Sequence, residues 1–374
     1  QAMQELRKNP KARFILAASF AAPLLKITGQ RIFGIHNHGD SRDGKSATQY
    51  AAMSIWGNPG AIKVLATSSE TGIERMAALC SDLPLCICEL ETLDEFQRAT
   101  FENKTVYVVM EGKGKQRGTV KGIQSASTWR TIMITNAESS IIKDNSKGGI
   151  ITRIIEINGG PFVGNKEFSS YLYDVVDRNY GHAGRMFLSN LLTANHAEIK
   201  DIYSKTRQML KMRYPDKIDA HIDAIAHIAI SDQLASMWVF GEDKDTAIRG
   251  ALQMAEYVIQ NHVINNIDAD ESERAWQWML GWIAANNGRF SMSARSAMPI
   301  LGYIEGGYIN ILKTELTRAL KEQGFSPDKI FRKWADAGRI PITKVGDKRT
   351  FAVRGKSING VKPWLIKIRE EGMD

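Results

Sequence analysis

The chain has 374 residues, 43% hydrophobic and 24% charged, and carries a net charge of +8. That length supports two or three domains with their own cores, and so ordinary a composition excludes a fibrous or disordered chain. No apolar run reaches membrane-spanning length and the first residues lack a signal-peptide layout, so the expected compartment is the cytoplasm. The chain opens on Gln1 rather than Met, which points to a domain ahead of it.

Residues 1–25 read as a helical lead-in. Residues 31–36 read as a buried strand and 47–56 as an amphipathic helix ending at Gly57. Between them, Gly39-Asp40-Ser41-Arg42-Asp43-Gly44-Lys45-Ser46 completes the phosphate-loop pattern G-x-x-x-x-G-K-[ST]. Gly39 and Gly44 let the backbone curl so that its N–H groups and the helix N-terminus face phosphate oxygens. Lys45 is then placed to bridge the β- and γ-phosphates, and Ser46 to offer its hydroxyl to Mg²⁺. ATP and Mg²⁺ are the cofactors this spacing implies.

Further along, 61–67 reads as a short strand, 70–79 as a helix, and 83–91 as an apolar strand with an acidic end. A carboxylate at such an end can act on Mg²⁺ or on the attacking water, and Glu89 is the candidate. Cys88 stands where an aspartate would be more usual, which leaves the second protein contact to the metal open, through water or Glu91. Cys80, Cys86 and Cys88 have no partner cluster and read as buried reduced thiols rather than a zinc or disulfide site.

An apolar run at 105–110 leads into a segment where glycines alternate with cations, Lys113, Lys115 and Arg117, a turn or hairpin able to approach a phosphate backbone or simply a solvated loop. Residues 130–138 form another buried strand, with Asn136 placed to hold water and sense the γ-phosphate. Residues 148–157 read as one more strand, with Arg153 at its start. Alternating strands and helices argue for an α/β core over 26–168, and the helical periodicity that follows for a lid over 169–267.

The acidic break at 268–272 marks a domain boundary. Beyond it, 273–286, 313–323 and 329–337 read as helices, and 342–345 and 350–353 as two strands around a turn. Helices followed by a hairpin suggest a winged-helix domain over 268–374. Such a domain either places its last helix in a DNA groove or packs on the ATPase and steadies it. Arg332, Lys333 and Arg339, with Lys348, Arg349 and Arg354 of the wing, are candidate phosphate contacts. Residues 321–374 hold 13 Lys and Arg against 7 Asp and Glu, an excess that suits a nucleic-acid partner or a solvated surface.

Taken together, the motifs resemble the AAA+ ATPases of the MCM-like branch, and more closely the replicative helicases encoded by staphylococcal cassette chromosome elements and related phages. The resemblance spans about residues 10–265. It rests on the phosphate loop, Leu83-Pro84-Leu85 before the acidic strand end, Gly112-Lys113-Gly114-Lys115-Gln116-Arg117, and Ile132-Met133-Ile134-Thr135-Asn136-Ala137-Glu138. It implies that Asn136 is the first sensor, that Arg153 is an arginine finger reaching the neighbouring subunit's γ-phosphate, and that Arg249 is the second sensor. It also implies that Lys113, Lys115, Arg117 and Lys121 belong to the hairpin that tracks single-stranded DNA in the pore of a hexameric homo-oligomer. The expected protein is thus a ring-forming, ATP-dependent DNA helicase replicating a mobile element or phage in a bacterial host, moving 3′→5′. A DNA-binding replication initiator and an AAA+ remodeller or loader of proteins are the alternatives.

Overall fold

Phe33–His38 (β1) alternates apolar Phe33 and Ile35 with Gly34 and His36, and in the computed structural model it runs through the inside of a parallel sheet. The residues described are 1–119, 122–142, 146, 148–162, 165–266, 270–290, 299–345, 348–357 and 361–369. They fall into two units, residues 1–142 with 149–266, and 143–148 with 267–374. Among them no helix is long and apolar enough to cross a membrane.

In the first unit the sheet takes the order β2-β3-β6-β1-β7, where β2 is Val64–Leu65, β3 Leu85–Cys88, β6 Ile132–Ala137 and β7 Ile154–Asn158. The remaining pair, β4 (Arg117–Thr119) and β5 (Gly122–Gln124), forms a separate antiparallel hairpin. Because all five sheet strands are parallel, their carboxyl ends share one edge, where an α/β sheet gathers its ligand-binding loops. Asn37 lies in register with Asn136 and with Ile157, so the loops after β1, β6 and β7 leave that edge side by side. Polar His36 is tolerated inside because its ring nitrogens meet the Thr135 hydroxyl at 2.8 Å and the Ser139 carbonyl at 2.9 Å. Burial pushes its pKa down to about 3, so it stays neutral.

The expected lead-in contains a core element. Asn9 caps helix α1 (Pro10–Ala21) by accepting from the Lys11 and Ala12 N–H groups, Pro10 sits in the first turn, and every residue from Phe14 to Ala21 is buried. A helix apolar on all sides belongs inside a core. Helix α2 (Lys45–Ser54) follows the phosphate loop and is tied to the sheet by the Gln49 amide, which donates to the carbonyls of Ile87 (3.1 Å) and Ile134 (2.8 Å). After β7 come α3 (Lys166–Arg178), α4 (His182–Thr193), α5 (His196–Arg213), α6 (Asp219–Trp238) and α7 (Lys244–His262). These helices share one apolar cluster with α1 and one face of the sheet. Two apolar runs differ from the expectation, 59–62 and 148–151 being short helices before β2 and β7, and the valine-rich run at 106–111 is helical.

The second unit holds α8 (Glu271–Ala285), α9 (Lys313–Glu322) and α10 (Pro327–Asp336). A hairpin of β10 (Thr343–Val345) and β11 (Lys348–Thr350) follows them. A four-stranded antiparallel sheet, β12-β13-β9-β8, completes it, with β8 at Gly302–Glu305, β9 at Tyr308–Leu312, β12 at Val353–Arg354 and β13 at Trp364–Arg369. Helix-turn-helix and wing are therefore present, on a sheet the sequence reading had not included. Trp334 is fully buried, meets Trp276 edge-on at 5.2 Å, and donates its indole N–H to the Ser272 carbonyl at 2.9 Å.

Candidate nucleotide site

The phosphate loop leaves β1 and enters α2 at Lys45, so the free N–H groups of that helix end face the loop's interior. Gly44 has a φ of +91°, and a Cβ there would come within 2.4 Å of the Phe162 ring. Arg42 also adopts a left-handed conformation, at φ 66°. Lys45 is nearly buried; its ammonium donates to the carbonyls of Gly39 (2.9 Å) and Asp40 (2.5 Å) and lies 2.8 Å from the Asp43 carboxylate. Ser41 donates to Glu138 at the end of β6. A cleft of about 590 Å³ opens over the loop, walled by Lys45, Ser46, Glu91, Glu138, Lys166 and Tyr173 among others. A glycine-shaped loop, a lysine at a helix N-terminus and an adjoining polar cleft fit a nucleotide polyphosphate.

At the same edge, Asn136 donates its amide N–H to the Ser46 hydroxyl at 3.4 Å, which brings the expected sensor and the expected magnesium ligand together. The acidic end of β3 is less simple. Glu89, in a left-handed conformation at φ 64°, points its half-exposed carboxylate at Lys63, 3.3 Å away, whereas Glu91 lines the cleft. Cys88 faces α2 and donates its S–H to Gln49 at 3.4 Å. Burial raises that thiol to about 12, so it stays protonated and offers no thiolate to a metal. Cys86 is also buried and Cys80 half-buried, and all three are free. Among the described residues no group of three or more His, Cys, Asp or Glu could hold a metal ion. Mg²⁺ of the phosphate-loop kind does not need one, because it keeps waters and binds largely through substrate phosphates.

The sequence reading missed the loop after β7. Gly159 donates to the His38 carbonyl at 2.7 Å and Phe162 to the Asp43 carbonyl at 3.1 Å, so Gly159-Gly160-Pro161-Phe162 braces the phosphate loop from the side. Lys166, which opens α3, adds a cation to the cleft wall. A Gly-Gly-Pro directly after a buried strand was the available signal.

Residues 1–129 match the family model described as a domain of unknown function, DUF927, and residues 270–371 match that of the Cch helix turn helix domain. Among solved structures, the chain is similar to one titled "SCCmec type IV Cch - active helicase", with a TM-score of 0.71 and 20% identity over 96% of this chain and 67% of that one. No curated protein matches. At this identity the likeness is one of fold, and it bears out the α/β core with a C-terminal helix-turn-helix.

Within the first unit, Arg153, Arg249, Lys113 and Lys115 are not among the residues that wall the cleft. Arg153 precedes β7 at the amino edge of the sheet, roughly 16 Å along the strands from the phosphate loop. Its guanidinium meets Glu111 at 2.9 Å and lies 5.6 Å from the centre of the Tyr107 ring. Arg249 is exposed on α7, donates to Thr246 at 3.3 Å, and is not part of the cleft wall. Lys113 is exposed and forms a backbone bridge with Thr128, and the ammonium of Lys115 meets Glu70 at 2.5 Å. Arg117 opens β4, and Lys348 and Arg349 begin β11, while Lys121 lies outside the described residues. In the second unit Arg332 is exposed on α10. Lys333 pairs with Asp270 at 2.9 Å and Arg339 with Glu273 at 2.6 Å, both acids on or beside the first turn of α8. Arg354 lies 4.2 Å from the centre of the Trp364 ring.

Proposed function

We propose that this chain is an ATP-driven DNA helicase of the AAA+ type, assembled as a hexameric ring and serving the replication of a mobile element or phage. One observation carries the reading: the strand that brings Asn136 to Ser46 is the next strand after the glycine- and cation-bearing hairpin of β4 and β5. A sensor and a candidate DNA-contacting hairpin on one short segment give the nucleotide state a direct route to the nucleic acid. The chain's likeness to a structure titled as an active helicase supports the same reading.

In this mechanism Lys45 and the loop N–H groups hold the phosphates, Ser46 offers its hydroxyl to Mg²⁺, Asn136 positions water and Glu89 orients it. ATP supplies the transferable phosphoryl group, and the metal neutralises its charge. Arg153 sits too far from its own loop to act within one chain, which suits a role at a neighbour's site. Arg249, exposed on α7, would likewise act across an interface. The winged helix over 268–374 would bind duplex DNA through Arg332 and the wing.

The test is ATP turnover and strand displacement with and without single-stranded DNA, at matched salt. Wild-type protein should be stimulated by DNA. Lys113→Ala, Lys115→Ala and Arg117→Ala together should keep basal turnover and lose stimulation and unwinding. Full unwinding by the triple variant would return the segment to an ordinary solvated loop. A replication initiator, in which nucleotide only stabilises assembly, is the second reading. The protonated Cys88 at the usual aspartate position favours it, and slow turnover that DNA does not change would establish it.

A further inference from the structure

Asp43 stands two residues before Lys45, and its carboxylate lies within the phosphate loop rather than on its outer surface. The residue is 3% exposed. Its Oδ1 is 2.8 Å from the Lys45 ammonium and accepts from the Lys45 backbone N–H at 3.4 Å. Gly160 is packed so tightly on the other side that a Cβ there would come within 2.1 Å of the Asp43 carboxyl carbon and carbonyl oxygen. Phe162 donates to that carbonyl, so the carboxylate has little room to swing out. Lys11 of α1 donates to the carbonyls of Asn158 at 2.7 Å and Gly159 at 3.3 Å, so its ammonium sits on the strip that packs against Asp43.

An array of inward-facing N–H groups at a helix N-terminus attracts anions. Here an anion is built into it. A buried carboxylate is costly unless paired, and the partner this one has is the cation a polyphosphate would take. We propose that Asp43 is an internal counter-anion that holds Lys45 in the nucleotide-free loop, so that nucleotide binds by exchange. Lys45 passes from Asp43 to the phosphates, and Asp43 is left facing Lys11. Asp43 thereby lowers nucleotide affinity below what the loop would otherwise reach. The inference rests on the nucleotide-binding reading of this cleft.

The experiment is titration of the full chain with a fluorescent ADP analogue, alongside thermal melting with and without ADP. Asp43→Asn removes a contact made only without nucleotide. It should lower the melting temperature of the free protein, tighten ADP binding by about tenfold and enlarge the ADP-induced rise in melting temperature. Asp43→Ser should change all three in the same direction and stands in if the Asn variant does not fold. Lys11→Met should weaken ADP binding in the wild-type background and have no effect beside Asp43→Asn, a coupling that a merely structural aspartate would not produce. Unchanged or weaker ADP binding in both Asp43 variants would overturn the proposal while leaving the site intact. A wild-type chain that binds no nucleotide would overturn the reading beneath it.

Discussion

The carboxyl edge of the parallel sheet and the helix-turn-helix of the second unit both carry cations suited to phosphate, but they hold them differently. The Lys45 side chain is 7% exposed and bonded to two carbonyls and a buried carboxylate. The side chains of Lys333 and Arg339 are 43% and 31% exposed, and each meets one carboxylate of the α8 start. Buried groups with fixed partners respond steeply to substitution because the partner is left unpaired. Exposed ion pairs are worth about 0–1 kcal/mol and exchange readily. Chemistry belongs at the first place and adjustable binding at the second.

Substitutions in the loop should therefore show the largest effects. Lys45→Ala is expected to lower ATP turnover by about 10³-fold or more, because it removes the charge facing the β- and γ-phosphates. It also strands Asp43, so the variant should melt below wild type. Adding Asp43→Asn should restore melting without restoring turnover. Wild-type turnover in folded Lys45→Ala would break the assignment. Next in size is Glu89→Gln, expected to bind ATP while losing about 10²–10⁴-fold in turnover. Glu91→Gln should lose less than about tenfold, since positioning rather than base chemistry is at stake there. The reverse ranking would give the water to Glu91, whose carboxylate already lines the cleft.

The contrast also separates what could be read from the sequence. The phosphate loop was legible because its chemistry demands given residues at given spacing, and Asn136 because a buried strand closes on it. Helix α1 was not read as core, since a helix buried on all sides has no amphipathic period to detect. The valine-rich run 106–111 is apolar without a helical period and is nonetheless helical, packing having overridden β propensity. β8 and β9 flank Gly306-Gly307, a hairpin signal that was available but passed over. β13 has apolar Trp364, Leu365 and Ile366 and then alternates Lys367, Ile368 and Arg369, a strand pattern too short to stand out among the cations of the C-terminal stretch. Where Glu89 and Arg153 point was beyond the sequence altogether, because Lys63 and Glu111 reach them only through the fold.

A smaller effect is expected from mixing. Arg153→Ala and Lys45→Ala proteins, each inactive alone, should regain activity when combined, because in a mixed ring roughly one interface in four keeps both groups. No recovery in oligomers shown to be mixed would make Arg153 a structural partner of Glu111 and Tyr107.

The smallest effects belong to α10 and the turn that follows it, and their sign is the informative part. Lys333→Ala and Arg339→Ala should each change duplex affinity by less than about threefold, since an α8 carboxylate already neutralises each cation. Arg332→Ala should cost more. Asp270→Asn and Glu273→Gln should instead strengthen binding and steepen its salt dependence by about one phosphate contact, because each releases a cation toward the DNA. Fluorescence anisotropy on one duplex across a salt series would measure all five. If Lys333→Ala weakens binding as much as Arg332→Ala, the acids of α8 are only placeholders that phosphate displaces, and the second unit uses its whole basic helix. If no variant changes affinity, α10 does not face DNA and the winged helix serves the ATPase instead.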